Sequence, residues 1–232
     1  MALFVFSQTK ATSPLVRLAI FREPRLRAGL AMSALVSTVM MATLVVGPFY
    51  LARTLGLGAA LVGIVLSVGP LVVALTGVLA GRMVDHFGSG RVTALGLITM
   101  ATGCLLLALL PATFGVPGYI TPIVVITLGY ALFQTANNTA VMQDVRPQQR
   151  GVIAGMLNLS RNLGLITGAS VMGALFALAA GTSDMALAHP AAVAGGMRTT
   201  FAVAATLIVV ALIFAIKSQA RAMRAVSLRN LP

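Results

Sequence analysis

Six long apolar stretches alternate with short polar segments along the chain. Each stretch is close to the length of about 20 residues that an α-helix needs to cross the hydrocarbon core of a bilayer. Glycine and proline punctuate the gaps between the stretches, as is typical of turns. The pattern predicts an all-α membrane protein, a six-transmembrane-helix bundle with spans at about 28–52, 58–80, 92–110, 118–143, 152–180 and 199–216.

The composition agrees with a location in the lipid bilayer and argues against a soluble protein. Charged residues make up 9% of the 232-residue chain, and its mean hydropathy is +1.00. An ordinary soluble domain carries about 25% charged residues, because a folded surface must be wetted. Apart from Arg161, the charged residues are instead gathered in a basic N-terminal segment at 1–27, in the loops, and in a basic tail at 217–232.

Most of the 16 lysines and arginines fall on one side of the six spans. They lie before span one, between spans two and three, between spans four and five, and after span six. Because lysine and arginine are kept in cytoplasmic loops, we expect a multi-pass protein of the cell membrane with both termini cytoplasmic. Topology then accounts for the net charge of +12, and no nucleic-acid partner is expected.

The loop between spans two and three is the most informative short segment. Gly81 is expected to end the first helix, and Gly88 and Gly90 to permit a tight reversal. Asp85 lies between Arg82 and Arg91 and is one of only four acidic residues. It can face a helix N-terminus or pair with an arginine and so anchor the loop. A solvated turn with ordinary topogenic charges is the alternative interpretation.

The spacing of Gly81, Asp85 and Gly88 resembles the cytoplasmic loop signature of the major facilitator superfamily of secondary transporters. Other short segments resemble the fourteen-span drug:proton antiporter branch of that family, over the C-terminal half of its members. These segments are Ser13-Pro14-Leu15, Phe21-Arg22, Gly47-Pro48-Phe49-Tyr50-Leu51, and Arg150-Gly151 followed by Asn158, Arg161, Asn162 and Gly164.

The resemblance carries expectations about function. Members of the family repeat a six-span bundle, and substrate crosses the membrane between the two halves. The resemblance implies one half of a secondary active efflux transporter for small, apolar or cationic compounds, working by alternating access with an N-terminal half or partner chain. The alternative is a transport-incompetent truncated half, or a membrane interaction module that assembles with another chain.

Polar residues inside the spans cluster on spans four and five. Two sets have the spacing i, i+3, i+4, which places each set on one helix face. Their depths match, at roughly 13 Å and 15 Å from the cytoplasmic ends of the helices. We predict that Arg161 faces Gln134 or Asn138 and that both sets line a substrate pathway, with anchoring of Arg161, by snorkelling or by pairing with Asp144, as the alternative. The sets are Gln134, Asn137, Asn138 and Asn158, Arg161, Asn162.

The sequence contains no motif that indicates enzyme activity. No set of His, Cys, Asp and Glu has the spacing of a metal site, and no strand leads into a phosphate-binding glycine loop. We therefore predict neither enzyme activity nor a cofactor. The four acidic residues fall at span edges or in loops. Proton coupling needs a titratable group within the membrane, so we expect that group in the other half of the transporter.

Glycine and proline inside the spans predict local geometry. Pro48, near the outer end of span one, and Gly69-Pro70, in span two, are expected to bend their helices. Two small-xxx-small steps in span five are expected to pack closely on other helices. These steps are Gly151/Gly155 and Gly164/Gly168.

Overall fold

The structure, a computed structural model, describes residues 23–143, 145–181 and 188–229, with side chains up to residue 220. Its helices are α1 (Pro24–Phe49), α2 (Ala59–Phe87), α3 (Ser89–Leu109), α4 (Gly115–Met142), α5 (Arg150–Ala180) and α6 (Pro190–Arg229). A π-helical turn at Tyr50–Thr54 continues α1, and short 3-10 turns at Ala112–Phe114 and Pro147–Gln149 precede α4 and α5.

All six helices are long and apolar enough to cross a membrane. The predicted all-α, six-helix class is therefore confirmed. One continuous core of buried apolar side chains draws on all six helices. Within it, α1 packs mainly on α5 and α6, α4 packs mainly on α3 and α2, and α6 also lies against α3. The two least buried spans are α2 and α5.

Two glycines of α5 allow that helix to approach α1 closely. A Cβ atom at Gly164 would collide with the carbonyl oxygen of Ala34 and lie 2.9 Å from Cβ of Ser37. A Cβ atom at Gly168 would lie 2.6 Å from the carbonyl oxygen of Thr38. Backbone contact of this kind needs residues without a side chain, so close packing at this small-xxx-small step is confirmed.

The other small-xxx-small step has no such contact within the chain. Nothing lies within 4 Å of a Cβ atom built at Gly151 or Gly155, so the prediction of close packing at this step is wrong for the described bundle. The side of α5 that meets its neighbours at this level carries Ile153 and Leu157, which are buried. The two glycines therefore lie on the uncovered side of the helix.

Two hydrogen bonds strengthen the contact between α1 and α5. The hydroxyl of Thr38 donates to the carbonyl oxygen of Gly164 at 3.0 Å. The hydroxyl of Ser160 donates to the carbonyl oxygen of Leu30 at 2.6 Å. Interhelical bonds of this type contribute about 0.6 kcal/mol each in membrane proteins. They hold α5 in one register against α1.

The chain reverses between α2 and α3 at a single residue, Gly88. The expectation that Gly81 ends the first helix is wrong, because α2 continues through it to Phe87. Space around Gly81 is open, so nothing forces the helix to stop there. Gly88 has φ +82° and ψ +148°, a conformation that is essentially confined to glycine, and this residue stops the helix.

Replacing Gly88 with alanine is expected to lower the free energy of unfolding by about 1 kcal/mol, because alanine is strained at this φ and ψ. Thermal unfolding in detergent, followed by circular dichroism, measures the change. Gly81→Ala is the matched control, since it adds a methyl group in open space inside a helix and should raise stability slightly. Equal losses in both variants would contradict the assignment of the reversal to Gly88.

The loop is held by a glutamine instead of by Asp85. Asp85 is exposed in the last turn of α2 and makes no ion pair with any described residue. The side-chain amide of Gln219, near the end of α6, donates to the carbonyl oxygen of Gly90. This contact supplies the anchor that was expected of the carboxylate, and the position of Asp85 favours the solvated-turn interpretation. Arg82 and Arg91 are exposed as well.

The last helix is longer than the sequence pattern predicts. It begins at Pro190 instead of near residue 199 and continues past residue 216 to Arg229. The adjacent glycines 195 and 196 interrupt the apolar pattern and favour a loop. In the structure a Cβ atom at Gly196 would lie 3.0 Å from the ring of Phe176. The glycine is therefore part of a close helix contact with α5, which stabilises the additional turns.

The two prolines that were predicted to bend their helices, Pro48 and Pro70, lie in helices that continue through them. The π-helical turn follows Pro48 almost directly. Helix α2 includes Gly69 and Pro70 without a break, and a Cβ atom at Gly69 would lie 3.3 Å from the methyl group of Thr127 on α4. The predicted bends stay predictions, while Gly69 has a packing role against α4.

Candidate functional site

Arg161 reaches from α5 to α4, where its guanidinium contacts the side chain of Gln134. The Gln134 amide is oriented by its hydrogen-bond partners. Its oxygen accepts from Nη1 of Arg161 at 3.0 Å and from Nε at 3.2 Å, and Nη2 lies close to the same oxygen. The structure thus places Arg161 beside Gln134, one of the two partners that helical spacing suggested.

The second partner of Gln134 is a residue that the sequence analysis missed. The amide nitrogen of Gln134 donates to the hydroxyl oxygen of Tyr130 at 2.9 Å. Tyr130 precedes Gln134 by four residues and therefore lies on the same side of α4. The i, i+4 spacing was the signal that could have found it. Tyr130, Gln134 and Arg161 form a chain of hydrogen bonds that links α4 to α5.

The other predicted pathway residues divide into two groups. Asn138 is half-buried and follows Gln134 by one turn of α4. Asn158 and Asn162 are exposed on α5, three residues before and one residue after Arg161. By position along their helices, these three residues lie within one turn of Gln134 or Arg161. The set is called the polar face below and comprises Tyr130, Gln134, Asn138, Asn158, Arg161 and Asn162.

Asn137 does not belong to the polar face. Its side chain is only 2% exposed and donates from Nδ2 to the carbonyl oxygen of Gly29 at 3.2 Å. The helix turns by about 100° per residue, so neighbouring positions face different surroundings. Asn137 faces α1, and its observed contact ties α4 to that helix. Asn137 therefore lies apart from the polar face, and its inclusion in the predicted pathway stays a prediction.

The polar face carries a single formal charge, the guanidinium of Arg161. Among the described residues the only carboxylates are those of Glu23, immediately before α1, and Asp85, in the last turn of α2. Both lie at helix ends. Asp144, the alternative partner suggested for Arg161, lies outside the described residues. The described part of the polar face therefore offers a cation and several neutral hydrogen-bonding groups.

A separate cleft of about 340 Å³ opens at the end of the bundle where α2 meets α3. Gly88, between α2 and α3, and Arg91, in the first turn of α3, line it together with Gln219 of α6. This cleft lies between α1, α4 and α6 and does not include the polar face. No group of three His, Cys, Asp or Glu side chains that could hold a metal ion occurs among the residues that the structure describes.

The chain is similar to several curated transporters. It is 31% identical over 169 residues to the uncharacterized transporter YebQ of Escherichia coli (strain K12), covering 73% of this chain and 37% of that protein. It is 24% identical over 214 residues to the riboflavin transporter RibZ of Clostridioides difficile (strain 630), covering 92% and 47%. The tetracenomycin C resistance and export protein of Streptomyces glaucescens is 25% identical over 180 residues, covering 75% and 32%. The chain spans less than half the length of each of these relatives.

The family profile described as Major Facilitator Superfamily matches residues 5–169. The match includes α1 to α4, the polar face and the glycine contact of α5 with α1. Together with the six membrane-length helices and the similarity to YebQ, it shows that the chain is a multi-pass membrane protein that belongs to the Major Facilitator Superfamily.

Proposed function

We propose that the chain forms one half of a transmembrane transporter for small molecules that works by alternating access, with the polar face lining the substrate pathway. The observation that carries this proposal is that the polar face lies within the spans but is not covered by the bundle itself. Asn158 and Asn162 are exposed, and Arg161 is only partly buried.

The depth of Arg161 makes contact with lipid unfavourable. Helix α5 has 31 residues and is roughly 46 Å long, whereas the hydrocarbon core is about 30 Å thick. With the helix centred in the bilayer, Arg161 lies roughly 8 Å inside the hydrocarbon boundary. Charged and amide side chains at such depth face protein or a water-filled cavity. A second bundle, with an aqueous pathway between the two, meets this requirement.

The low burial of α2 and α5 supports these two helices as the surface on which a second bundle would pack. Helix α2 packs on α4, helix α5 reaches α4 through Arg161, and these two spans are the least buried of the six. Their uncovered sides are mainly apolar, as suits contact with lipid or with another helix. The exposed large apolar residues include Leu61, Ile64, Leu71, Leu75 and Val78 on α2, and Leu159, Leu163, Ile166 and Val171 on α5.

The name of a relative and the positions of the positive residues bear on the direction of transport and on the orientation of the chain. The name of the Streptomyces glaucescens relative describes resistance and export, which favours efflux. The positive residues of the loops support a cytoplasmic position of both termini, with the protein in the plasma membrane. If transport is coupled to protons, the titratable carboxylate belongs to the second bundle, since the described carboxylates lie at helix ends.

A fusion with RibZ tests the need for a second bundle. The chain replaces the region of RibZ that it matches, and transport of riboflavin, which is neutral, and of fluorescein, an anion, is measured for the fusion and for the chain alone. We expect transport by the fusion and none by the chain alone, because substrate crosses between two halves. Asn158→Leu in the fusion should reduce transport severalfold, whereas Leu163→Ala, on an apolar part of α5, serves as the matched control.

Two outcomes would contradict the proposal. Transport by the chain alone would show that no second bundle is needed. A fusion that inserts into the membrane and stays folded but transports nothing would favour the alternative, a membrane interaction module that assembles with another chain without transport.

A further inference from the structure

We propose that Arg161 makes the polar face selective for substrates that carry an anionic group and unfavourable for organic cations. This inference rests on the proposed function, because it names the substrate class of the same face. It departs from the apolar or cationic substrates that family resemblance implies. Three features of the polar face favour an anion: the charge of Arg161, the neutrality of its partner and the donors around it.

The charge of Arg161 has no opposite charge beside it among the described residues. Three guanidinium nitrogens converge on one oxygen of Gln134, and an amide oxygen is neutral. The described carboxylates, at Glu23 and Asp85, lie at helix ends. A guanidinium partly removed from water is stabilised more by a carboxylate than by a neutral acceptor, because the attraction between opposite charges adds to the hydrogen bonds. The polar face therefore attracts anions.

The geometry also suits an anionic group of a ligand. A carboxylate of a ligand could replace the Gln134 oxygen as the acceptor of Arg161, because a planar guanidinium can donate two parallel hydrogen bonds to a carboxylate. Gln134 can yield this position, since its nitrogen keeps the hydroxyl of Tyr130 as a partner. An organic cation in the same place would be repelled by Arg161 without a carboxylate to offset the repulsion.

Neighbouring side chains add further donors. The hydroxyl of Tyr130 accepts from Gln134 and retains its own hydrogen for donation. The exposed amides of Asn158 and Asn162 each carry two N–H groups. A carboxylate bound to Arg161 could accept from these groups without burying an unpaired charge. The face thus combines one cation with several donors, which is the arrangement expected for an anion.

A matched pair of dyes tests the charge preference directly. The purified chain is placed in nanodiscs of phosphatidylcholine, a lipid without net charge, at physiological salt. Binding of fluorescein, an anion, and of tetramethylrhodamine methyl ester, a cation on the same ring system, is measured by fluorescence anisotropy. We expect fluorescein to bind about tenfold or more tightly than the cation, in line with hydrogen bonds to charged groups.

Variants distinguish the effect of Arg161 on dye binding from the effect of the overall positive charge of the chain. Arg161→Gln should abolish the preference, and Arg161→Lys should retain part of it, because lysine keeps the charge but loses the fork of donors. Gln134→Glu supplies an internal carboxylate and should weaken fluorescein binding as much as Arg161→Gln does. Arg82→Gln, which removes an equal charge from an exposed position outside the polar face, should leave the preference unchanged.

The proposal is overturned if neither dye binds saturably, if the cation binds as well as the anion, or if Arg82→Gln has the same effect as Arg161→Gln. It is also overturned if fluorescein binds the chain alone but not the RibZ fusion, because a carboxylate of the second bundle would then be the partner of Arg161. Anion-selective binding by both, without transport by the fusion, would instead contradict the proposed function while supporting the selectivity.

Discussion

Replacing Gly164 with valine is expected to destabilise the bundle by about 3 kcal/mol, the upper end of the usual range for overpacking. The added Cβ would collide with the carbonyl oxygen of Ala34 and press on Ser37. The first neighbour is backbone within α1, so it cannot rotate away as a flexible side chain can. Relief requires α1 and α5 to separate, which would also break the hydrogen bond from Thr38 to Gly164.

The effect is measured as the free energy of unfolding in mixed detergent micelles, followed by circular dichroism. Gly155→Val is the matched control on the same helix, because nothing lies within 4 Å of its Cβ position. Valine is a somewhat better helix former than glycine, so the control should be neutral or slightly stabilising. Similar losses in both variants would refute a specific contact of Gly164 with α1.

Replacing Asn137 with leucine is expected to cost about 2 kcal/mol of stability. The variant loses the hydrogen bond to the carbonyl oxygen of Gly29, which contributes about 0.6 kcal/mol on average in membrane bundles. It also places a branched side chain in a site that is already filled, since the Asn137 amide lies 3.2 Å from the Cβ position of Gly29. Overpacking adds roughly 1–3 kcal/mol.

Asn138→Leu is the control, because the two residues are adjacent and chemically identical. Asn138 is half-buried on the polar face, and its replacement should change stability by less than about 0.5 kcal/mol, as is usual away from packed contacts. In the RibZ fusion, by contrast, Asn138→Leu should reduce transport. The assignment of Asn137 to packing would fail if Asn138→Leu were the more destabilising of the two.

The polar residues within the spans are of two kinds: those that bond to a neighbouring helix of the bundle and those that belong to the polar face. Within one bundle, polar groups such as Thr38, Ser160 and Asn137 bond to backbone carbonyls of neighbouring helices. These contacts stabilise the packing between helices. The amides of Asn158 and Asn162 on the polar face are instead exposed. Under the proposed function, the first kind of residue would keep this half rigid during rocking, and the polar face would bind substrate.

The sequence by itself determined the number of membrane helices, the family resemblance and the contact of Arg161 with one of two α4 residues. Long apolar runs specify membrane helices because every backbone polar group must be satisfied within the bilayer. Helical spacing then places Gln134 and Arg161 at matching depths. Tyr130 could have been added by the same rule, since it precedes Gln134 by one turn.

Only the tertiary structure separated Asn137 from Asn138, Gly164 from Gly155, and Gly81 from Gly88. Each pair looks alike in the sequence, because spacing along a helix gives relative angles but not which side meets a neighbour. A helix in a membrane can be apolar on every side, so hydrophobic periodicity does not orient it. The close backbone approach of α1 and α5, the positive φ of one glycine and the hydrogen bond to Gly29 arise from packing between helices, and packing decided the role of each residue.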